Sequence, residues 1–172
     1  MNDIILGHNP DTRRFASAFF AEDDIGAIIR CHFEVEQAAN RELDVLTNQR
    51  WRRVRSQYLS DKLNLLEMIG VPSHLLAPAR TLNNQRNGFA HDGAEEITEQ
   101  QMLDLLRGFR ALMPQFNDDY EIAFRGRREF TAKFRDCTIR QKYVVTAATL
   151  AFLIGGLPEL VREPGTANLA PA

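Results

Sequence analysis

Arg86-Asn87-Gly88-Phe89-Ala90-His91 is the stretch of this chain whose residue types and spacing suit chemistry. Arginine is a permanent, fork-shaped cation that can hold two phosphate oxygens at once, and histidine is the side chain that titrates near neutrality. On a helix, a separation of five positions is about 500°, a net rotation of about 140°. The two side chains are therefore offset, yet both can reach one concave site. Asn87 donates and accepts through its amide. Gly88 removes side-chain bulk at a helical cost of about 1 kcal/mol, which suits close approach to the backbone. An anion clamp beside a proton carrier fits phosphate chemistry. The same residues also fit an arginine and a capping histidine that tie down a helix end, the commoner arrangement in an arbitrary protein.

The elements that must position this motif follow from caps and apolar periodicity. Asp11 caps a helix carrying Phe15, Phe19 and Phe20. Asp23 or Asp24 caps a long helix to about Leu46. Projected at about 100° per residue, Ile25, Ile28, Ile29, Val35, Ala39, Leu43 and Leu46 gather on one face, with Arg30, Glu34, Gln37 and Arg41 opposite. His32 and Glu36 fall within the apolar face, one turn apart. A carboxylate there needs a partner. Two accounts stand: a local His32–Glu36 contact or a Glu at the rim of the core on one side, and on the other a Glu36 that meets Arg86 or His91 from a neighbouring helix.

Residues 56–69 form a helix with Leu59, Leu63, Leu66 and Ile69 inward, stopped by Gly70 with Pro72 beyond. Ser73 caps a single turn through Leu76, and Pro78 opens the helix that ends at Asp92-Gly93. Thr98 and Gln101 make a capping box for a helix to about Met113, its face Met102, Leu105, Leu106, Phe109 and Met113. Residues 115–125 take no assignment. A last long helix runs from about Arg127 to Ile154, with Phe130, Phe134, Cys137, Val144, Val145, Ala148 and Phe152 toward the core, and Gly155-Gly156 stops it. No stretch alternates with period two. The expected fold is an all-α bundle of five to seven helices, a single domain over 1–162 with a flexible tail at 163–172.

Two basic stretches accompany the motif. Arg50, Arg52, Arg53 and Arg55 surround Trp51. They suit either a solvated connector with one anchoring Trp or an aromatic-bearing surface for a nucleic-acid backbone. The first half of the last helix carries Arg125, Arg127, Arg128, Lys133, Arg135, Arg140 and Lys142.

Composition narrows the function classes. A net charge of −2 over 172 residues gives no overall basic field, so any nucleic-acid surface is local. Cys31 and Cys137 stand outside metal and redox spacings and fit reduced thiols in a cytoplasmic protein. The opening Asn2 and Asp3, with no basic region before an apolar stretch, lead to the expectation of no signal peptide, and the apolar stretch from Tyr143 to Leu157 is too short for a comfortable membrane span. His8, His32, His74 and His91 show no ligand spacing with the cysteines, and no phosphate-binding Gly-x4-Gly-Lys loop occurs. The expectation is no metal and no cofactor.

Arg86-Asn87-x-x-Ala90-His91 resembles the Arg-x4-6-His motif of the HEPN superfamily, helical domains of many RNA-cleaving toxins and defence proteins. Phe19-Phe20 through Glu36 and Leu43, then Ser60-Asp61-Lys62-Leu63 to Ile69-Gly70, then the motif, is similar to the mannitol operon repressor branch. The likeness covers roughly residues 15–110. It implies a HEPN-like bundle and a homodimer whose paired motifs cleave RNA without metal. In that scheme His91 serves as acid or base, Arg86 stabilises the phosphorane charge and Asn87 orients one of them; Glu36 is a further catalytic candidate from the helix projection above. Arg50, Arg52, Arg53, Arg55, Arg127, Arg128, Lys133 and Arg135 would then contact RNA. Many toxin members carry Tyr two residues after the His, where this chain has Gly93. The alternative is a non-catalytic regulator or interaction module on the same fold, acting through a protein partner or an antitoxin.

Overall fold

The computed structural model describes residues 11–125 and 128–157. Within them are six α-helices and one two-stranded antiparallel hairpin, so the all-α bundle holds. The lead-in at 1–10 and the expected tail at 163–172 lie outside the described residues.

The caps read from sequence sit where expected. The Asp11 carboxylate accepts from the Arg13 amide at 2.9 Å and starts α1 (Thr12–Phe19). Asp23 accepts from the Gly26 amide and starts α2 (Asp24–Thr47). α3 (Leu59–Met68) is followed by Gly70 at φ +105°, a conformation open to glycine, which lets the Val71 amide reach the Leu66 carbonyl at 3.0 Å. α4 (Ser73–Asp92) is one continuous helix, not a turn followed by a helix; Pro78 lies inside it. Pro78 is accommodated against Gly108 of α5 (Glu99–Leu112), where even a glycine's missing Cβ would come within 3.4 Å of its ring. The Thr98–Gln101 capping box opens α5.

The last third departs from the expected long helix. Residues 121–133 form β1 (Glu121–Phe124) and β2 (Phe130–Lys133), with Phe124 opposite Phe130. A short 3-10 turn follows at Phe134–Asp136, and α6 (Ile139–Gly155) starts only after Thr138, which makes its own capping box with Gln141. Four-residue strands are too short to display a period-two pattern, and the phenylalanines that mimicked a helical face serve another purpose. Phe124 and Phe130 pack on Phe19, with ring centroids 4.4 and 4.8 Å away, and clamp the hairpin to α1.

α6 is apolar on all sides and is buried accordingly: Tyr143, Val144, Ala147, Leu150 and Ala151 have no exposure. Its most extensive neighbour is α2. The buried face of α2 is rotated from the projected one. Ala27, Ile28, Cys31, Val35, Ala38, Ala39 and Leu43 are inside, whereas Ile25, Ile29 and Leu46 are exposed. Small residues set this face because they let α6 approach closely, and a projection weighted by hydrophobicity favours the isoleucines instead. Glu34, expected to face solvent, is buried at 2% exposure. It tolerates this because Arg14 forms an ion pair with it and the Asp11 amide donates to it at 3.1 Å. Among the described residues no helix is long and apolar enough to cross a membrane.

Candidate functional site

α4 presents Asn83, Asn87 and His91 at successive four-residue steps, which places them in one stripe, with Arg86 flanking it. α2 presents His32 and Glu36 one turn apart. These side chains line one cavity of about 670 Å³. Ile29 and Phe33 of α2 form one rim, and the segment entering α3 closes the other with Tyr58 and Ser60. All four residues assigned to chemistry from sequence, Arg86, Asn87, His91 and Glu36, therefore stand around the same space. Arg86 and Asn87 are half-buried and His91 is exposed at the end of α4.

The partners differ from the expected ones. Glu36 binds neither Arg86 nor His91; the Lys62 ammonium on α3 donates to it at 2.5 Å. His32 is not bonded to Glu36 either; its Nε2 lies 3.2 Å from Asn83 Oδ1. The Arg86 guanidinium donates to Asn87 Oδ1 at 3.2 Å, so the neighbouring amide orients the cation. Gly93 takes φ +66° to end α4, a conformation in which a tyrosine would be strained. Tyr58 enters the cavity from another element.

His32 is the titratable group most altered by this setting. Burial lowers its pKa below the ordinary 6.5, and the positive charges of Arg86 and Lys62 act in the same direction. The Asn83 hydrogen bond and the Glu36 charge oppose the shift without cancelling it. His32 is thus neutral at pH 7. With the proton on Nε2 donated to Asn83, Nδ1 is left to accept another. The cavity offers a fixed guanidinium, a neutral imidazole and a second imidazole at its mouth. Sequence reasoning passed over Lys62 and Asn83. Lys62 was legible, because it falls in phase with Leu59, Leu63 and Leu66 on the inward face of α3, a position a lysine occupies only when paired.

The basic residues fall into separate places. Trp51 is anchored, its indole N–H donating to Asp44 at 2.7 Å, and Arg52 makes two hydrogen bonds to the same carboxylate. Arg52 holds the Asp44 carboxyl below its ordinary range. This is the connector with an anchoring Trp; Arg50, Arg53 and Arg55 remain exposed beside it. Lys133 and Arg135 lie on and just after β2, and both pair with Asp119 at 3.0 Å. Arg128 lines a different cavity, and Arg127 lies outside the described residues. Arg140 is committed to an ion pair with Asp24. Among the described residues no group of three His, Cys, Asp or Glu side chains is placed to hold a metal ion.

No family model, curated protein or solved structure matches this chain.

Proposed function

We propose that this chain is a metal-independent endoribonuclease acting at the cavity between α2 and α4. The observation that carries the proposal is the convergence of Arg86, Asn87 and His91 with a second imidazole, His32, on that one space. Cleavage of a ribose phosphate needs a cation for the developing phosphorane charge, a base and an acid. Arg86, oriented by Asn87, is the cation. Neutral His32 takes the proton of the 2′-hydroxyl as its oxygen attacks phosphorus. His91 gives a proton to the departing 5′-oxygen. The products are a 2′,3′-cyclic phosphate and a 5′-hydroxyl, and no other reactant is consumed. Glu36, tied to Lys62, positions the α2 wall of the cavity.

A lone Arg–His pair would need a second protomer to complete an acid–base set, but His32 supplies the missing group within one chain. A homodimer, as the HEPN resemblance implies, draws support from a different feature. Ile25, Ile29 and Phe33 form an exposed apolar stripe along α2, 42%, 52% and 40% accessible, which runs to the cavity rim. A second copy covering it would bring two cavities together.

The test is incubation of the purified protein with total RNA in EDTA beside a His91→Ala control. Cleavage by the wild type, lost in the variant, supports the proposal. No cleavage of any RNA favours the regulatory module instead.

A further inference from the structure

A second cavity, of about 1110 Å³, opens between α1 and the β1–β2 hairpin and, among the described residues, shares no lining residue with the first. Arg13 of α1 lines it together with Arg125 and Arg128 of the hairpin, and among the described residues no carboxylate does. Among the described residues none of these three guanidiniums is ion-paired, although seven other arginines of this slightly acidic chain are. Carboxylates are thus available to the chain and are not spent here. Three cations around one concave space repel one another and favour an anion between them.

The cavity also has an aromatic wall. Phe20 and Phe124 line it, their ring centroids 5.7 Å apart in edge contact. The Arg128 guanidinium lies over the Phe20 ring, 5.6 Å from its centre, and donates to the Phe20 carbonyl at 3.4 Å, so a second flat group lines the cavity beside that ring. Bases stack on phenylalanine rings and on guanidinium planes alike. The Ser17 hydroxyl, which donates to the Arg13 carbonyl at 2.9 Å, keeps its lone pairs on the same wall. A bare phosphate would engage the arginines and leave the platform idle; a nucleotide engages both.

We propose that this cavity binds a nucleotide unit, its phosphate held by Arg13, Arg125 and Arg128 and its base stacked on Phe20. The unit can come from a free mononucleotide or from a single-stranded RNA, since both present the same phosphate and base. The site is independent of the cleavage proposal, because neither His91 nor Arg86 contributes to it.

Binding is measured on the full chain carrying His91→Ala, so that RNA stays intact. The probes are adenosine monophosphate, inorganic phosphate and a short fluorescent single-stranded RNA. The Arg13→Gln/Arg128→Gln double variant should weaken RNA binding by about tenfold or more, and the dependence of log affinity on log salt should flatten by about 1.4. Phe20→Leu should weaken the nucleotide and RNA but leave inorganic phosphate unchanged. Arg125→Gln, a change at an exposed hairpin residue, repeats the charge test without touching α1. Displacement of RNA by adenosine monophosphate assigns the site to free nucleotide as well; RNA binding without such displacement assigns it to the strand alone. Equal RNA affinity in the wild type and the double variant overturns the proposal. So does a wild type that binds neither nucleotide nor RNA, or a Phe20→Leu change that leaves nucleotide binding intact.

Discussion

In the proposed cleavage His32 is the proton acceptor, and two measurements follow from its setting. His32→Gln should lower the cleavage rate by about 100-fold or more, the usual contribution of a positioned acid or base. The acid limb of the wild-type pH–rate profile should lie below 6.5, because burial holds the imidazole neutral to lower pH. The same shift acts on stability. The unfolded chain protonates His32 at its ordinary 6.5, while the fold resists protonation, so the unfolded state binds more protons below that value. The stabilisation is complete above 6.5 and is lost as pH falls through it toward the folded pKa. Melting temperature should therefore rise from about pH 5 to about pH 7, more steeply in the wild type than in His32→Gln; equal slopes would count against a depressed pKa. At this scale the sequence was informative about which residues meet and poor about how they bond. The motif on α4 and the His32–Glu36 pair on α2 were legible. The Lys62–Glu36 and Asn83–His32 bonds were not, because they join residues far apart in sequence.

α4 carries most of the site, and one polar relay fixes its place against the central helix. The buried Tyr143 hydroxyl of α6 donates to Gln85 Oε1 at 3.0 Å, and the Gln85 amide donates to the Gln101 carbonyl of α5 at 2.8 Å. Gln85 directly precedes Arg86. Tyr143→Phe leaves the Gln85 oxygen without its donor and should lower stability by about 1 kcal/mol. It should also reduce cleavage, since α4 is held less firmly; a thermal melt and a rate measurement on the variant read both effects, and unchanged stability would contradict the relay. The helices themselves were largely readable, because Asp11, Asp23 and Thr98 cap them through local bonds that a short stretch of sequence contains. Residues 121–138 were not. Phe130 and Phe134 are spaced as on a helix, but the rings of Phe19 and Phe20 lie across from Phe124 and Phe130 and stabilise a hairpin. That choice is made by α1, a hundred residues away in sequence, and no local pattern encodes it.

At the scale of the molecule, the proposed dimer rests on the exposed stripe of Ile25, Ile29 and Phe33 that runs to the cavity rim. Ile29→Glu with Phe33→Glu should yield a monomer by sedimentation with helical content unchanged, because both side chains are partly exposed at the surface and neither belongs to the buried core; a wild type that is itself monomeric at micromolar concentration would remove the dimer. Two cavities that share no lining residue among the described residues, one with two imidazoles and one with three arginines on an aromatic wall, are the proposed places of cleavage and of nucleotide binding. The central claim is that the cavity of Arg86, His91 and His32 cleaves RNA through the ribose 2′-hydroxyl. The most direct measurement is end-group analysis after incubation in EDTA of an RNA oligonucleotide and its copy with a single 2′-deoxy substitution at the cleaved position. The expected result is a 2′,3′-cyclic phosphate from the RNA, no scission at the deoxy position, and no product of either kind with His91→Ala. Scission at the deoxy position, or wild-type cleavage by His91→Ala, would contradict it.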